Sequence, residues 1–414
     1  YDWIKRSPER QATNKTLGGT MHSHSTASLL GLKDVKIRKV VNTDHYIKLF
    51  IEKDASQQVC PSCGKTTVRI HDYRIQEIKD LPFQQKPCSI VLSKRRYRCN
   101  SCGKRFYEHY DFAPRYLRQT ARLTAFIADS FHENRNMKDV AKASNVSETT
   151  VGRILDTIRF PKPSTLPRVF SIDEFKGDAN GEKYQIIITD PKKHRVLDIL
   201  PDRKEVTLRL YLQSFSRFER QKVKFFVSDM YAPYIRVARQ YFPNATIIVD
   251  KYHFIRQTGW ALENTRKRLQ KGMHPSQRKY YKRSRTLLLS RFKKLPLEQQ
   301  IACSRMIFYN EDLRKAHHLK EWFYSICQNR KYSEQRRQFR LWIQEAESCR
   351  VAEFHKVAKC YQNWAREICA AFKHTDITNG TTEGFNNRIK VLKRTPYGIH
   401  RFERLRTRIL MAMN

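Results

Sequence analysis

Residues 168–200 read RVFSIDEFKGDANGEKYQIIITDPKKHRVLDIL, and this stretch decides the fold. RVFSIDEF, KYQIIITD and HRVLDIL are apolar, β-branched runs separated by the polar turns DANGE and PKK, the pattern of three successive strands. A helical stretch, KEVTLRLYLQSFSRFERQK (204–222), comes next. KVKFFVSD (222–229) then reads as a buried strand, YAPYIRVARQYF (231–242) as a helix and ATIIVD (245–250) as a further strand. Three strands, a helix and two β/α alternations predict a mixed α/β sheet. Beyond it, from about residue 254 to 370, the sequence turns helical and basic, and residues 264–297 hold twelve Lys/Arg and no acid.

Carboxylates at strand ends stand out in a chain with 81 Lys+Arg and 40 Asp+Glu. Asp173 closes RVFSI and Asp229 closes KVKFFVS in this reading, and Glu383 opens the helix TEGFNNRIK after Asn379-Gly380. Acids on neighbouring strands, completed by one from a helix, build a cradle of hard oxygen ligands suited to Mg²⁺ (or Mn²⁺). Two such ions about 4 Å apart are what phosphodiester cleavage and strand transfer need. A lone strand-end aspartate is more often a turn or cap residue, so the weight lies on the joint placement. Asp250, followed by Lys251-Tyr252-His253, is a rival for Asp229. Glu174 adjoins Asp173, but strand alternation points it to the opposite face.

Upstream, Cys60-x2-Cys63 and Cys99-x2-Cys102 each sit in a CxxCGK context. Two thiolates three residues apart on a tight turn reach one tetrahedral metal, and two such turns make a closed, structural four-thiolate Zn²⁺ site. The intervening 35 residues exceed the common ribbon spacing, which predicts a small sheet insert. Cys88 is left over and reads as core. MKDVAKASNVSETTVGRILD (137–156) follows the helix-turn-helix pattern. Val140 and Ala141 pack the first helix, Asn145 takes the left-handed turn position, Ser147 caps the second helix, and Val151 and Ile154 face inward. Thr149, Thr150 and Arg153 then face outward, toward a major groove.

The formal charge of +41 is hard to tolerate in a compact protein without a polyanionic partner. With 40% apolar residues the chain is a folding protein, and it has no apolar run long enough to span a bilayer. Double-stranded DNA is the expected partner. Arg95 and Arg96 beside the second knuckle, and Arg266, Lys267, Arg268, Lys282 and Arg283 in the basic stretch, are the expected phosphate contacts. Trp260, Trp322, Trp342 and Trp364 read as core rather than base-stacking groups. The scattered cysteines and polar start exclude a secreted disulfide scaffold and predict a cytoplasmic, nucleoid-associated protein.

SIDEFKG, VSDMYAPY, VDKYHF, TNGTTEGFNNRIKVLKR and the closing YGIHRFERLRTRIL together resemble transposases of bacterial insertion sequences of the ISL-three type. The resemblance runs from about residue 25 to the end. It implies an RNase H-like mixed-sheet catalytic domain with an all-helical insertion and a DDE triad at Asp173, Asp229 and Glu383. It also implies that Asp250 and His253 form a DxxH element supporting that triad. The expected layout is a tail at 1–28 with no fold signal and no secure claim to be native, and a zinc-binding domain at 29–112. A helix-turn-helix domain at 113–160 and a linker at 161–167 follow. The RNase H-like domain spans 168–257 and 374–414, around a basic helical insertion at 258–373. The implied activity binds terminal inverted repeats, cuts there and joins the freed end to target DNA, in a homodimer or higher assembly. A DNA-binding regulator without catalysis and a nuclease that cuts without joining are the alternatives.

Overall fold

The computed structural model describes residues 31–414 except 33–34, 115–116, 134, 284 and 395–399; the tail expected at 1–28 lies outside the described residues. The chain divides into two compact units between Arg159 and Phe160. Among the described residues no helix is long and apolar enough to cross a membrane.

In the first unit, β1 (Lys36–Asn42) and β2 (Ile47–Glu52) precede a short hairpin of β3 (Gln58–Val59) and β4 (Thr66–Thr67). The long strands β5 (Ile70–Phe83) and β6 (Lys86–Arg98) and the short β7 (Arg105–Tyr107) follow. The main sheet runs β1-β2-β6-β5 with β7 also on β6; β2 and β6 pair in parallel, and the other pairs are antiparallel. The alternation of β2 sends Ile47, Leu49 and Ile51 inward onto Ile78, Cys88, Ile90 and Leu92. β5 and β6 are the expected sheet insert between the knuckles. Their turn residues Gln84 and Gln85 both take positive φ, 51° and 61°, the sense that matches the strands' twist.

Three helices close the unit: α1 (Ala121–Asp129), α2 (Met137–Ala143) and α3 (Glu148–Leu155). Asn145 sits between the last two with φ 50°. The Ser147 hydroxyl accepts from the Thr150 N–H at 3.2 Å, capping α3, while Val140, Val151 and Leu155 are fully buried.

The second unit is a five-stranded sheet of β8 (Val169–Ala179), β9 (Glu182–Asp190), β10 (Arg195–Leu200), β11 (Phe225–Ser228) and β12 (Thr246–Val249). Their spatial order is β10-β9-β8-β11-β12. The first three strands form an antiparallel meander, and β11 and β12 lie parallel to β8. Helices α4 (Glu205–Gln213), α5 (Arg217–Lys222) and α6 (Ala232–Tyr241) make the crossovers. The Ile186-Ile187-Ile188 run is continuous because both faces are covered. Ile186 and Ile188 join Phe170, Phe226, Leu208 and Val237 on one side, while Ile187 joins Ile199, Ile389 and Leu405 on the other.

After β12 the chain is helical, from α7 (Lys251–Leu269) to a helix ending at Lys373. That segment packs around Phe254, Phe323, Trp342 and Tyr361. α8 (Gly380–Arg394) and α9 (Phe402–Met413) then return to the sheet.

Residue 258 falls inside α7, so the helical segment is continuous with the element that follows β12. Residues 161–167 are not a free connector: Leu166 is buried in the sheet core and the Lys162 ammonium donates to the Tyr211 carbonyl at 3.0 Å. Asp173 also lies within β8 rather than at its end, opposite Ile187 of β9. It is β11, pairing only as far as Val227 with Ser171, that stops short there.

Phe226 is fully buried, stacked on Phe170 at 6.1 Å and beside Phe242. We expect Phe226→Ala to destabilise this unit by about 3–5 kcal/mol. Denaturant unfolding followed by tryptophan fluorescence measures it, because Trp260, Trp322, Trp342 and Trp364 all lie in this unit. An unchanged midpoint would contradict the packing described.

Candidate metal centre and nucleic-acid interface

The parallel register lines up three aspartates. Val227 pairs with Ser171 and Ser228 with Val249. Continued past the strand ends, that register brings Asp173, Asp229 and Asp250 to one level on three adjacent strands. Glu383 comes from the first turn of α8. Asp250, His253 and Glu383 offer ligand atoms within 4.8 Å of one another, and His253 Nε2 lies 2.9 Å from Asp229 Oδ1. The structure thus brings together all five acidic and histidine residues singled out in the sequence. It sets Asp250 beside both Glu383 and Asp229. Glu174 points away, accepting from the Tyr234 hydroxyl at 2.8 Å and pairing with Arg203.

The electrostatics are those of crowded anions. Burial, then the charge of Asp229, pushes the Asp173 carboxyl up to about 7. Burial and the charge of Glu383 raise Asp250 above the usual carboxylate range. Burial opposes a charged His253, but the contact with Asp229 and the charges of Asp229 and Asp250 outweigh it and raise its pKa. Asp250 Oδ2 is buried with no hydrogen-bond partner, and Asp229 Oδ1 is buried facing His253 Nε2. Crowded, buried carboxylate oxygens of this kind fit hard divalent cations.

Asn386, absent from the sequence reading, holds Asp173. Its amide donates to Asp173 Oδ2 at 2.8 Å, while the Glu174 N–H donates to Oδ1 at 2.7 Å. Its signal was the three-residue spacing from Glu383, which puts both on one face of α8. Beneath the acids, Ser171, Thr189, Asn379 and Thr382 form a buried hydroxyl–amide network that pins the start of α8 to β8 and β9.

In the first unit the two knuckles fold identically. The Gly64 N–H donates to the Cys60 carbonyl and the Gly103 N–H to that of Cys99, each at 3.0 Å, with glycine φ values of 71° and 70°. Only glycine takes that turn without strain, and this is why each CxxC is followed by one. Sγ atoms of Cys60 and Cys102, and of Cys63 and Cys99, lie 3.6 Å apart. A tetrahedron with metal–sulfur bonds of about 2.3 Å has edges of about 3.8 Å, so the four thiols fit zinc. Backbone N–H groups of Cys102 and Ser101 help hold the Cys99 thiol down to about 6.

The expected DNA contacts sort by exposure. Thr149 and Arg153 are exposed on α3; Thr150 is half-buried, its hydroxyl 3.0 Å from that of Ser147. Lys267, Lys282 and Arg283 are exposed, as are Arg278 and Lys279 on the helix Pro275–Arg283. Two expectations are corrected, those for Arg95 and Arg266. Arg95 is buried, bonded to the Lys53 carbonyl and facing Glu108. Arg266 is 3% exposed, its guanidinium spanning both oxygens of Glu263. Arg268 is tied to Glu353 and Asp312. A buried cation needs an anion, and Arg95 and Arg266 serve packing rather than phosphate, whereas Arg268 remains exposed. Arg96 is half-buried against Asp72. Trp342 is core as expected, but Trp260 is 50% exposed.

Comparison with known proteins adds three domain matches. A transposase family model of the ISL3 DDE type matches residues 170–409. A model for the zinc-finger of transposases IS204, IS1001, IS1096 and IS1165 matches residues 56–102, and one for the helix-turn-helix domain of transposase family ISL3 matches 108–159. The transposase for insertion sequence element IS1001 of Bordetella parapertussis is 25% identical over 366 residues, 85% of this chain and 88% of that protein.

The thiol cluster makes a direct test. Purified protein should carry one zinc per chain by elemental analysis, and Cys99→Ser should lose it and loosen the first unit. Full zinc content in that variant would rule out the four-thiol site.

Proposed function

The chain belongs to the ISL3 family of DDE transposases, enzymes of DNA cleavage and joining, and from that premise we propose that Asp173, Asp229 and Glu383 are its catalytic triad. The observation that carries the assignment is the aspartate row in which Asp173, within β8, stands level with Asp229 and Asp250 just past the ends of β11 and β12, with Glu383 beside Asp250. The strand order β10-β9-β8-β11-β12, an antiparallel meander extended by two parallel strands, supports an RNase H-like domain. The helices from α7 to Lys373 are its insertion.

The carboxylates would hold two divalent ions, Mg²⁺ in the cell, which supply charge neutralisation at the phosphate and a more acidic attacking oxygen. Asp173 sits centrally, its two oxygens oriented by the Glu174 N–H and the Asn386 amide. Asp229 is steadied by His253, and Asp250 accompanies Glu383. Helix α3 presents Thr149, Thr150 and Arg153 to the terminal inverted repeats, while Lys267, Lys282 and Arg283 hold phosphates. The zinc module keeps the N-terminal sheet folded. An element has two ends, so a dimer or higher assembly brings them together.

The test uses labelled duplex from the flanking element ends, purified protein and Mg²⁺. Cleaved and joined products should form with native protein. Asp173→Ala should remove both, with a loss of at least about 10³-fold, while leaving end binding intact. Native protein that binds its ends but neither cuts nor joins them would make the chain a regulator. Cutting without joining would make it a nuclease.

A further inference from the structure

Three side chains on α7 form a partly exposed ladder that begins beside His253. Tyr252, Arg256 and Trp260 are spaced by four, so they share one face of the helix and span about 12 Å along it. Tyr252 and Trp260 are 56% and 50% exposed. Between them the Arg256 guanidinium lies 5.3 Å from the Tyr252 ring and 4.5 Å from that of Trp260, its Nε without a hydrogen-bond partner. At its inner end the Tyr252 ring stands edge-on to His253 at 5.8 Å, and the Arg256 charge acts on the same imidazole.

Core packing does not explain this arrangement, because both rings remain in water. The acids beside it repel a DNA strand, so a rim that offers cationic charge between two open aromatic faces complements the strand as the acids do not. Aromatic rings stack any base, and a guanidinium held between rings adds cation–π attraction and contacts the backbone. We propose that Tyr252, Arg256 and Trp260 are a stacking platform for unpaired nucleobases of the DNA strand held at the catalytic centre. The inference rests on the DNA-processing function above and identifies the conformation of its substrate: base pairs are opened next to the reacting phosphate.

Equilibrium binding of full-length, zinc-loaded protein without added Mg²⁺ tests it with two fluorescein-labelled probes. One is a blunt 30-base-pair duplex (an arbitrary probe length of roughly three helical turns). The other is the same duplex extended by unpaired thymidines at one 3′ end. Native protein should bind the tailed probe more tightly. Trp260→Leu and Tyr252→Leu should each weaken tailed binding by about 5- to 150-fold, the range of a lost base–aromatic stack. Trp260→Phe, which keeps a ring, should retain most of the preference. Unchanged blunt-duplex affinity in the leucine variants certifies their fold. Leucine variants that keep the native preference, or lose both probes equally, would overturn the platform. Native protein that binds the blunt duplex without favouring the tail would overturn it and leave the DNA-binding reading standing. Native protein that binds neither probe would overturn both.

Discussion

Mutual repulsion among carboxylates, held together by a sheet that cannot relax, is the constraint on which the second unit turns. Asp173, Asp229 and Asp250 are brought level by parallel register, and Glu383 is added from α8. Water would screen such a cluster, but Asp173 and Asp250 are nearly buried. The fold resists through apolar packing on both sheet faces and through the Ser171–Asn379–Thr382–Thr189 network that anchors α8. Strain of this kind is kept where a function needs it.

The same principle sorts the positive charge. With a formal +41 the chain has far more cations than its acids can pair, and several that face inward have found a carboxylate. Arg266 with Glu263 and Arg95 with Glu108 are such cases. The unpaired remainder lies outside, notably on the helix Pro275–Arg283, which Tyr281 anchors through its hydroxyl bond to the Met306 carbonyl. A basic exterior around an acidic, metal-fitting centre suits an enzyme that must hold a polyanion by its backbone and react at one phosphate.

Much of this was legible in the sequence, and the misses have physical causes. Strand runs, the helix-turn-helix cap at Ser147 and the glycine-relieved knuckles are local features, set by periodicity and backbone geometry. The position of Asp173 within β8 was not local: its apparent strand end is set by where β11 stops pairing. Arg266 lies in a window without acids, yet its partner Glu263 sits just upstream of it, one helical turn away. Arg95 meets an acid thirteen residues on, across β6 and β7, and no spacing rule predicts that. Trp260 reads as core in the sequence because hydrophobicity alone does not distinguish a buried ring from one left exposed.

The central claim is that the acidic cluster is destabilising until divalent ions fill it. In the metal-free folded state Asp173 holds its proton up to about pH 7, whereas the unfolded chain releases it near the ordinary value of 3.8. Its contribution to stability therefore falls as pH rises between those values and stays low above them. The decisive measurement is the unfolding midpoint of the unit that holds Trp260, Trp322, Trp342 and Trp364 at pH 8, with and without Mg²⁺, for native protein and Asp173→Asn. The account predicts that the variant is the more stable of the two without Mg²⁺. It further predicts that only native protein gains markedly with Mg²⁺, by about 2.7 kcal/mol per site at a hundredfold excess over Kd. Equal stability without metal and equal response to it would contradict the claim.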